Sequence, residues 1–141
     1  MRRETGAPVD VVELGAGTAG KTQTLLRCML ARQTECLYVP VDVSGAAIAA
    51  GTARLREAMP LLRVCPLVMT HEEAFDVLAG TTTPQLVLFI GSSVGNMDDC
   101  AAATLLAASR RALGEGPGSC SGPISEKIRR SCCRLTTMRA A

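Results

Sequence analysis

Apolar and polar positions along the first 113 residues change rhythm several times, and each change marks an element. Val9 to Leu14 is a short β-branched run stopped by Gly15, the signature of a strand. Thr22 to Arg32 then places Leu25, Leu26, Met29 and Leu30 at helical spacing with arginines between them. Cys36 to Val41 predicts a second strand ending at Asp42. Ser44 is positioned to cap a helix through Met59 that buries Ala47, Ile48, Leu55 and Met59, and Pro60 closes it. Leu62 to Val68 predicts a third strand, broken at Pro66. A short helix follows at Glu72 to Ala79, then a fourth strand at Gln85 to Ile90. Asp98 or Asp99 caps a last helix that runs to about Leu113.

Strands alternating with helices imply βαβ units and a parallel sheet covered on both faces, an α/β three-layer fold. Right-handed crossovers make 3-2-1-4 the expected strand order. Pro66 fits an edge strand, since proline cannot donate to a ladder. Pro40 falls in what would be an internal strand, so it is expected near that strand's end or at a bulge.

Composition narrows the function classes. Tyr38, Phe75 and Phe89 are the only aromatic residues and the net charge is only +2, which argues against a nucleic-acid partner. The purest apolar run, Leu86 to Ile90, is five residues long, whereas a membrane helix needs about 20. The start, Met1-Arg2-Arg3-Glu4-Thr5-Gly6, has no apolar stretch behind its arginines, so the expected address is cytoplasmic. Residues 1–118 carry ten Lys/Arg and twelve Asp/Glu, whereas residues 119–141 carry five and one, together with three of the seven cysteines. The cysteine spacing matches neither a zinc site nor a disulfide framework, so reduced thiols are expected.

The chemistry concentrates in Glu13-Leu14-Gly15-Ala16-Gly17-Thr18-Ala19-Gly20-Lys21-Thr22, between the first strand and the first helix. Glycines let a backbone turn tightly and approach a ligand, and the following helix start offers free N–H groups. Gly15 to Thr22 matches the P-loop pattern G-x-x-x-x-G-K-[ST]. In that reading Lys21 neutralises phosphates, Thr22 holds magnesium and Asp42 supplies the second metal contact. The same residues also fit a nucleoside cofactor. Asp42 lies 25 residues past Gly17, near the ~20-residue spacing at which an acid binds ribose hydroxyls. A carboxylate at Glu13 suits a ligand carrying an amine better than one carrying a triphosphate.

Three segments together resemble the histidine-specific N-α-methyltransferases of the ergothioneine pathway, whose domain is shared by fungal tryptophan-derivative N-methyltransferases. They are Glu13-Leu-Gly-Ala-Gly-Thr18 with Lys21-Thr22, Tyr38-Val-Pro-Val-Asp42-Val-Ser44, and Leu88-Phe-Ile-Gly91-Ser92-Ser93-Val-Gly95-Asn96. The resemblance covers roughly residues 9–114. It implies a Rossmann-like class I methyltransferase core using S-adenosylmethionine. Gly15, Gly17 and Lys21 would contact the cofactor at the turn, beside Glu13, and Asp42 would take its ribose. The adenine would lie at Thr70-His71, where the family usually carries an Asp-aromatic pair. Asn96 would hydrogen-bond a small amino-acid substrate, whose neutral α-amine attacks the sulfonium methyl in line.

Larger or charged residues are common in that family at the position of Gly20, so the P-loop match would rest on one glycine. The family also implies helical segments and further strands, the fifth to seventh, that residues 1–118 do not supply. The expectation is therefore a partial cofactor-binding domain at 1–118. The basic tail at 119–141 reads as disordered or out of frame, and the chain as a fragment with impaired or no activity. A catalytically dead domain that only binds cofactor is the reading from another class.

Overall fold

The computed structural model describes residues 8–79, 83–90 and 98–113, the last four by their backbone alone. Its elements run β1 (Asp10–Leu14), α1 (Gln23–Arg32), β2 (Leu37–Asp42), α2 (Gly45–Ala58), β3 (Arg63–Val64), β4 (Leu67–Val68), α3 (His71–Leu78), β5 (Gln85–Leu88) and α4 (Asp99–Leu113). All strand pairs are parallel, in the order β3-β2-β1-β5, with β4 continuing the β3 position beside β2. That is the expected order, with the third strand divided by Pro66.

The two faces of the sheet carry separate cores. Val11 of β1 and Tyr38 of β2 pack with Leu26 of α1 and Leu55 of α2 on one side. On the other, Val12, Leu14, Val39 and Val41 meet Ala74, Phe75 and Leu78 of α3 and Leu105 of α4. Both alternations of β1 and β2 are therefore buried, so these strands read as continuous apolar runs. A fully buried side chain of this kind contributes about 1.5–3 kcal/mol. The change of face follows from chain direction: β1 to β3 progress one way across the sheet, and β5 returns to the far side of β1. Right-handed crossovers then place α1 and α2 opposite α3.

Pro40 sits near the end of β2, followed only by Val41 and Asp42, and pairs with Glu13. The carbonyls of Cys36, Tyr38 and Asp42 all accept N–H groups from the β3–β4 side, whereas that of Val41 accepts from the β1 side. By this alternation Pro40 faces β3–β4, where the ladder is already interrupted at Pro66. By the same alternation Cys65 faces β2 and Pro66 faces the open edge of the sheet, where its missing N–H costs no ladder bond.

Caps set the helix ends. Ser44 accepts the Ala47 N–H at 3.3 Å, and Asp98 Oδ1 accepts that of Ala101 at 2.7 Å. The first helix starts one residue later than expected, at Gln23, with Thr22 as its N-cap. Cys28, Cys36 and Cys100 are free thiols, as expected, whereas Cys65 is disulfide-bonded, against that expectation. The tail at 119–141 lies outside the described residues.

One close approach ties α2 to the glycine-rich turn. A Cβ on Gly51 would stand 2.8 Å from the Thr18 carbonyl oxygen and 2.9 Å from its carbon. Alanine normally favours a helix over glycine by about 1 kcal/mol. Gly51→Ala is nevertheless expected to destabilise the fold by roughly 1–3 kcal/mol, the usual penalty of overpacking, as read by urea denaturation. Gly20→Ala, whose Cβ would meet only Thr18 Oγ1 at 3.9 Å, should leave the midpoint unchanged.

Candidate cofactor site

The turn after β1 lies at the carboxyl ends of the parallel strands, beside the point where the chain direction across the sheet reverses. Open α/β sheets bind ligands in that crevice. Gly15, Gly17 and Ala19 all have positive φ, at 69°, 52° and 53°. Glycine adopts this region freely, but for alanine it costs about 1–2 kcal/mol. Backbone strain of this kind persists only where surrounding contacts enforce it.

Those contacts are on the end of β2. The Gly15 and Ala16 N–H groups both donate to the Val41 carbonyl, at 2.9 and 3.0 Å. The Gly17 N–H donates to Asp42 Oδ2 at 2.8 Å, and the Ser44 N–H to Asp42 Oδ1 at 2.9 Å. Ala19 closes the turn by donating to the Ala16 carbonyl at 2.8 Å. Asp42 thus holds the turn with one oxygen and the start of the α2 connection with the other.

Underneath the turn lies a second carboxylate. Glu13 is 3% exposed, and its Oε2 accepts hydrogen bonds from Thr22 Oγ1, at 2.5 Å, and from the Tyr38 hydroxyl. Tyr38 is wholly buried. Burial pushes its phenol well above the usual tyrosine range, and donation to Glu13 and the nearby negative charge push it further.

This arrangement does not fit a P-loop. Four amides of the turn, those of Gly15, Ala16, Gly17 and Ala19, are spent on protein acceptors. Thr22, the magnesium ligand of that reading, is fully buried with its hydroxyl on Glu13. Gly20 has neither a positive φ nor a crowded Cβ position. The match to the P-loop pattern is a coincidence of spelling. Among the described residues there is also no cluster of His, Cys, Asp and Glu able to hold a metal.

A nucleoside ligand carrying an amine fits better. A Cβ on Gly17 would meet nothing within 4 Å, so the turn borders open space, and Glu13 Oε1 has no hydrogen-bond partner among the described residues. Lys21 is exposed beside the turn.

Thr70 and His71 follow β4, whose Val68 pairs with Asp42, so they share the same carboxyl edge. Thr70 is committed to capping α3. Its hydroxyl accepts the Glu73 N–H at 3.3 Å and its own N–H donates to Glu73 Oε2 at 2.8 Å. His71 is half-buried and stands edge-on to Phe89, with ring centroids 6.2 Å apart. Asn96 lies outside the described residues. Tyr38 and Phe89 were not singled out by sequence reasoning. A tyrosine in a strand buried on both faces needs a hydroxyl acceptor, and that requirement was the available signal.

Tyr38 is the only tyrosine and the chain has no tryptophan, so absorbance near 295 nm reports this phenol alone. Because the folded pKa is raised, the network's stability is fully present below the ordinary value of about 10 and is lost as pH rises beyond it. In an alkaline titration tyrosinate should form only together with loss of the helical circular-dichroism signal. Ionisation near pH 10 in a folded chain would contradict the network.

Comparison with known proteins agrees with this geometry. The family model of the histidine-specific, S-adenosylmethionine-dependent methyltransferases matches residues 1–120. The N-methyltransferase imqF of Aspergillus flavus is 30% identical over 102 residues, which cover 69% of this chain and 28% of that protein. The chain therefore spans little more than a quarter of the length of this curated relative. No helix among the described residues is long and apolar enough to cross a membrane. With a doubly covered parallel sheet, a glycine turn at its switch point and a family match over most of its length, the chain belongs to the histidine-specific, S-adenosylmethionine-dependent methyltransferase family.

Proposed function

We propose that the chain is the cofactor-binding part, residues 1–118, of a cytoplasmic N-methyltransferase that acts on the α-amine of an amino acid. Histidine is the substrate that the family description points to, and the ergothioneine pathway is the setting that the resemblance implies. S-adenosylmethionine, when bound, supplies an electrophilic methyl group on a sulfonium. The observation that carries this reading is Asp42 at the end of β2, fixed 2.8 Å from the Gly17 N–H. Among the described residues each of its oxygens accepts a single backbone hydrogen bond and keeps a lone pair, enough to accept from the two hydroxyls of a ribose.

The remaining roles follow from position. Gly15 and Gly17 let a ligand approach the backbone, and Lys21 offers a cation for the ligand's carboxylate. Glu13 takes the amine end. The His71 ring, backed by Phe89, supplies a flat face for adenine, while Thr70 holds the start of α3 that carries it. The resemblance gives Asn96 the role of orienting the amino-acid substrate. Rate enhancement in such a site comes from alignment of the amine with the methyl group, without a covalent enzyme intermediate.

Calorimetric titration of the purified chain with S-adenosylhomocysteine tests the reading, run beside ATP with magnesium. Metal-independent binding of S-adenosylhomocysteine is expected, with no heat from ATP. Asp42→Ala should weaken it at least tenfold, since two charge-assisted hydrogen bonds are lost. Binding of ATP alone would overturn the proposal. Transfer of a labelled methyl group to histidine separates an active enzyme from a domain that only holds cofactor.

A further inference from the structure

Glu13 combines three features that structural support alone does not require. Its carboxylate is almost completely buried, both of its hydrogen-bond donors converge on Oε2, and Oε1 has no partner among the described residues. Among the described residues the enclosed side-chain polar atom without a partner is Thr52 Oγ1, so Glu13 Oε1 keeps access to the space outside the protein. Two donors serving only to satisfy the group would do so more effectively with one on each oxygen.

Thr22 adds an independent observation. It is the N-cap residue of α1, and a threonine there ordinarily accepts an N–H from the first turn. Its side chain makes no such bond, and the hydroxyl is turned to Glu13. The helix forgoes that capping bond. Tyr38 reaches the same oxygen from β2, so two elements converge on one acceptor.

We infer that Tyr38 and Thr22 are positioning residues. Their hydroxyls hold Glu13 by one oxygen so that the other is presented, unpaired and ready, to the ammonium group of the cofactor's amino-acid end. The inference rests on the cofactor reading above and names the two residues through which Glu13 acts there. An ammonium is the matching ligand chemistry because it brings donors and positive charge together to an acceptor that lacks both. Neither hydroxyl touches the ligand.

The test compares S-adenosylhomocysteine with 5′-S-(3-carboxypropyl)-5′-thioadenosine, the same molecule without its amine, by calorimetry. The unaltered chain should prefer the amine-bearing ligand by about tenfold, the scale of one charge-assisted hydrogen bond. In Tyr38→Phe and Thr22→Val that preference should fall toward unity while affinity for the amine-free ligand stays the same. Thr22→Ser, which keeps the hydroxyl, should retain the preference. A ratio of affinities is insensitive to partial unfolding, because both ligands lose the same fraction of competent protein. Variants that weaken both ligands equally, or that leave the preference intact, would overturn the positioning role while the cofactor reading stands. Failure of the unaltered chain to bind either ligand would remove both.

Discussion

Two carboxylates govern the shape of the turn after β1, and the site depends on that shape. Asp42 grips the turn from the end of β2, and Glu13 underlies it from within β1. Three successive amides, from Gly15 to Gly17, are bonded to two successive residues of β2. With so many constraints in one segment, positive φ values at Gly15, Gly17 and Ala19 are enforced by hydrogen bonds that offset their cost. The close seat of α2 against Thr18, which only a glycine at position 51 permits, holds the turn from a third side.

This construction decides between two chemistries that a string of residues leaves equal. A phosphate cradle needs free amides and an available Thr22 hydroxyl, whereas four amides of the turn and that hydroxyl are engaged inside the protein. What remains facing outward suits a different ligand: a carboxylate with spare lone pairs at Asp42, an oxygen of Glu13 without a partner among the described residues, and an exposed cation at Lys21. The donors and acceptors are placed before any ligand arrives, so little ordering has to occur on binding.

Most of the architecture was legible because it follows from periodicity and punctuation. Strand order came from counting βαβ units, and caps at Ser44 and Asp98 came from residue type. Pro40 was expected near its strand's end, but strand propensity does not say which neighbour a given position faces. The alternation of hydrogen bonds turns Pro40 to β3–β4 and Pro66 to the open edge of the sheet. At the site, Glu13, Gly15, Gly17 and Asp42 were found by spacing, and the structure brings them together. Thr22 was named for a metal and serves a carboxylate instead, since motif spelling does not say where a hydroxyl turns. Tyr38 went unnoticed because its partner is 25 residues away in the sequence and meets it only across the sheet.

The central claim is that the turn is locked in shape by the protein itself, before ligand binding. Native-state amide hydrogen exchange at Gly15, Ala16 and Gly17 measures this directly. The account predicts strong protection of all three in the ligand-free chain, close to that of β1 and β2, with little change when S-adenosylhomocysteine is added. Exchange at the rate of an open loop, with protection gained only on adding the ligand, would contradict it.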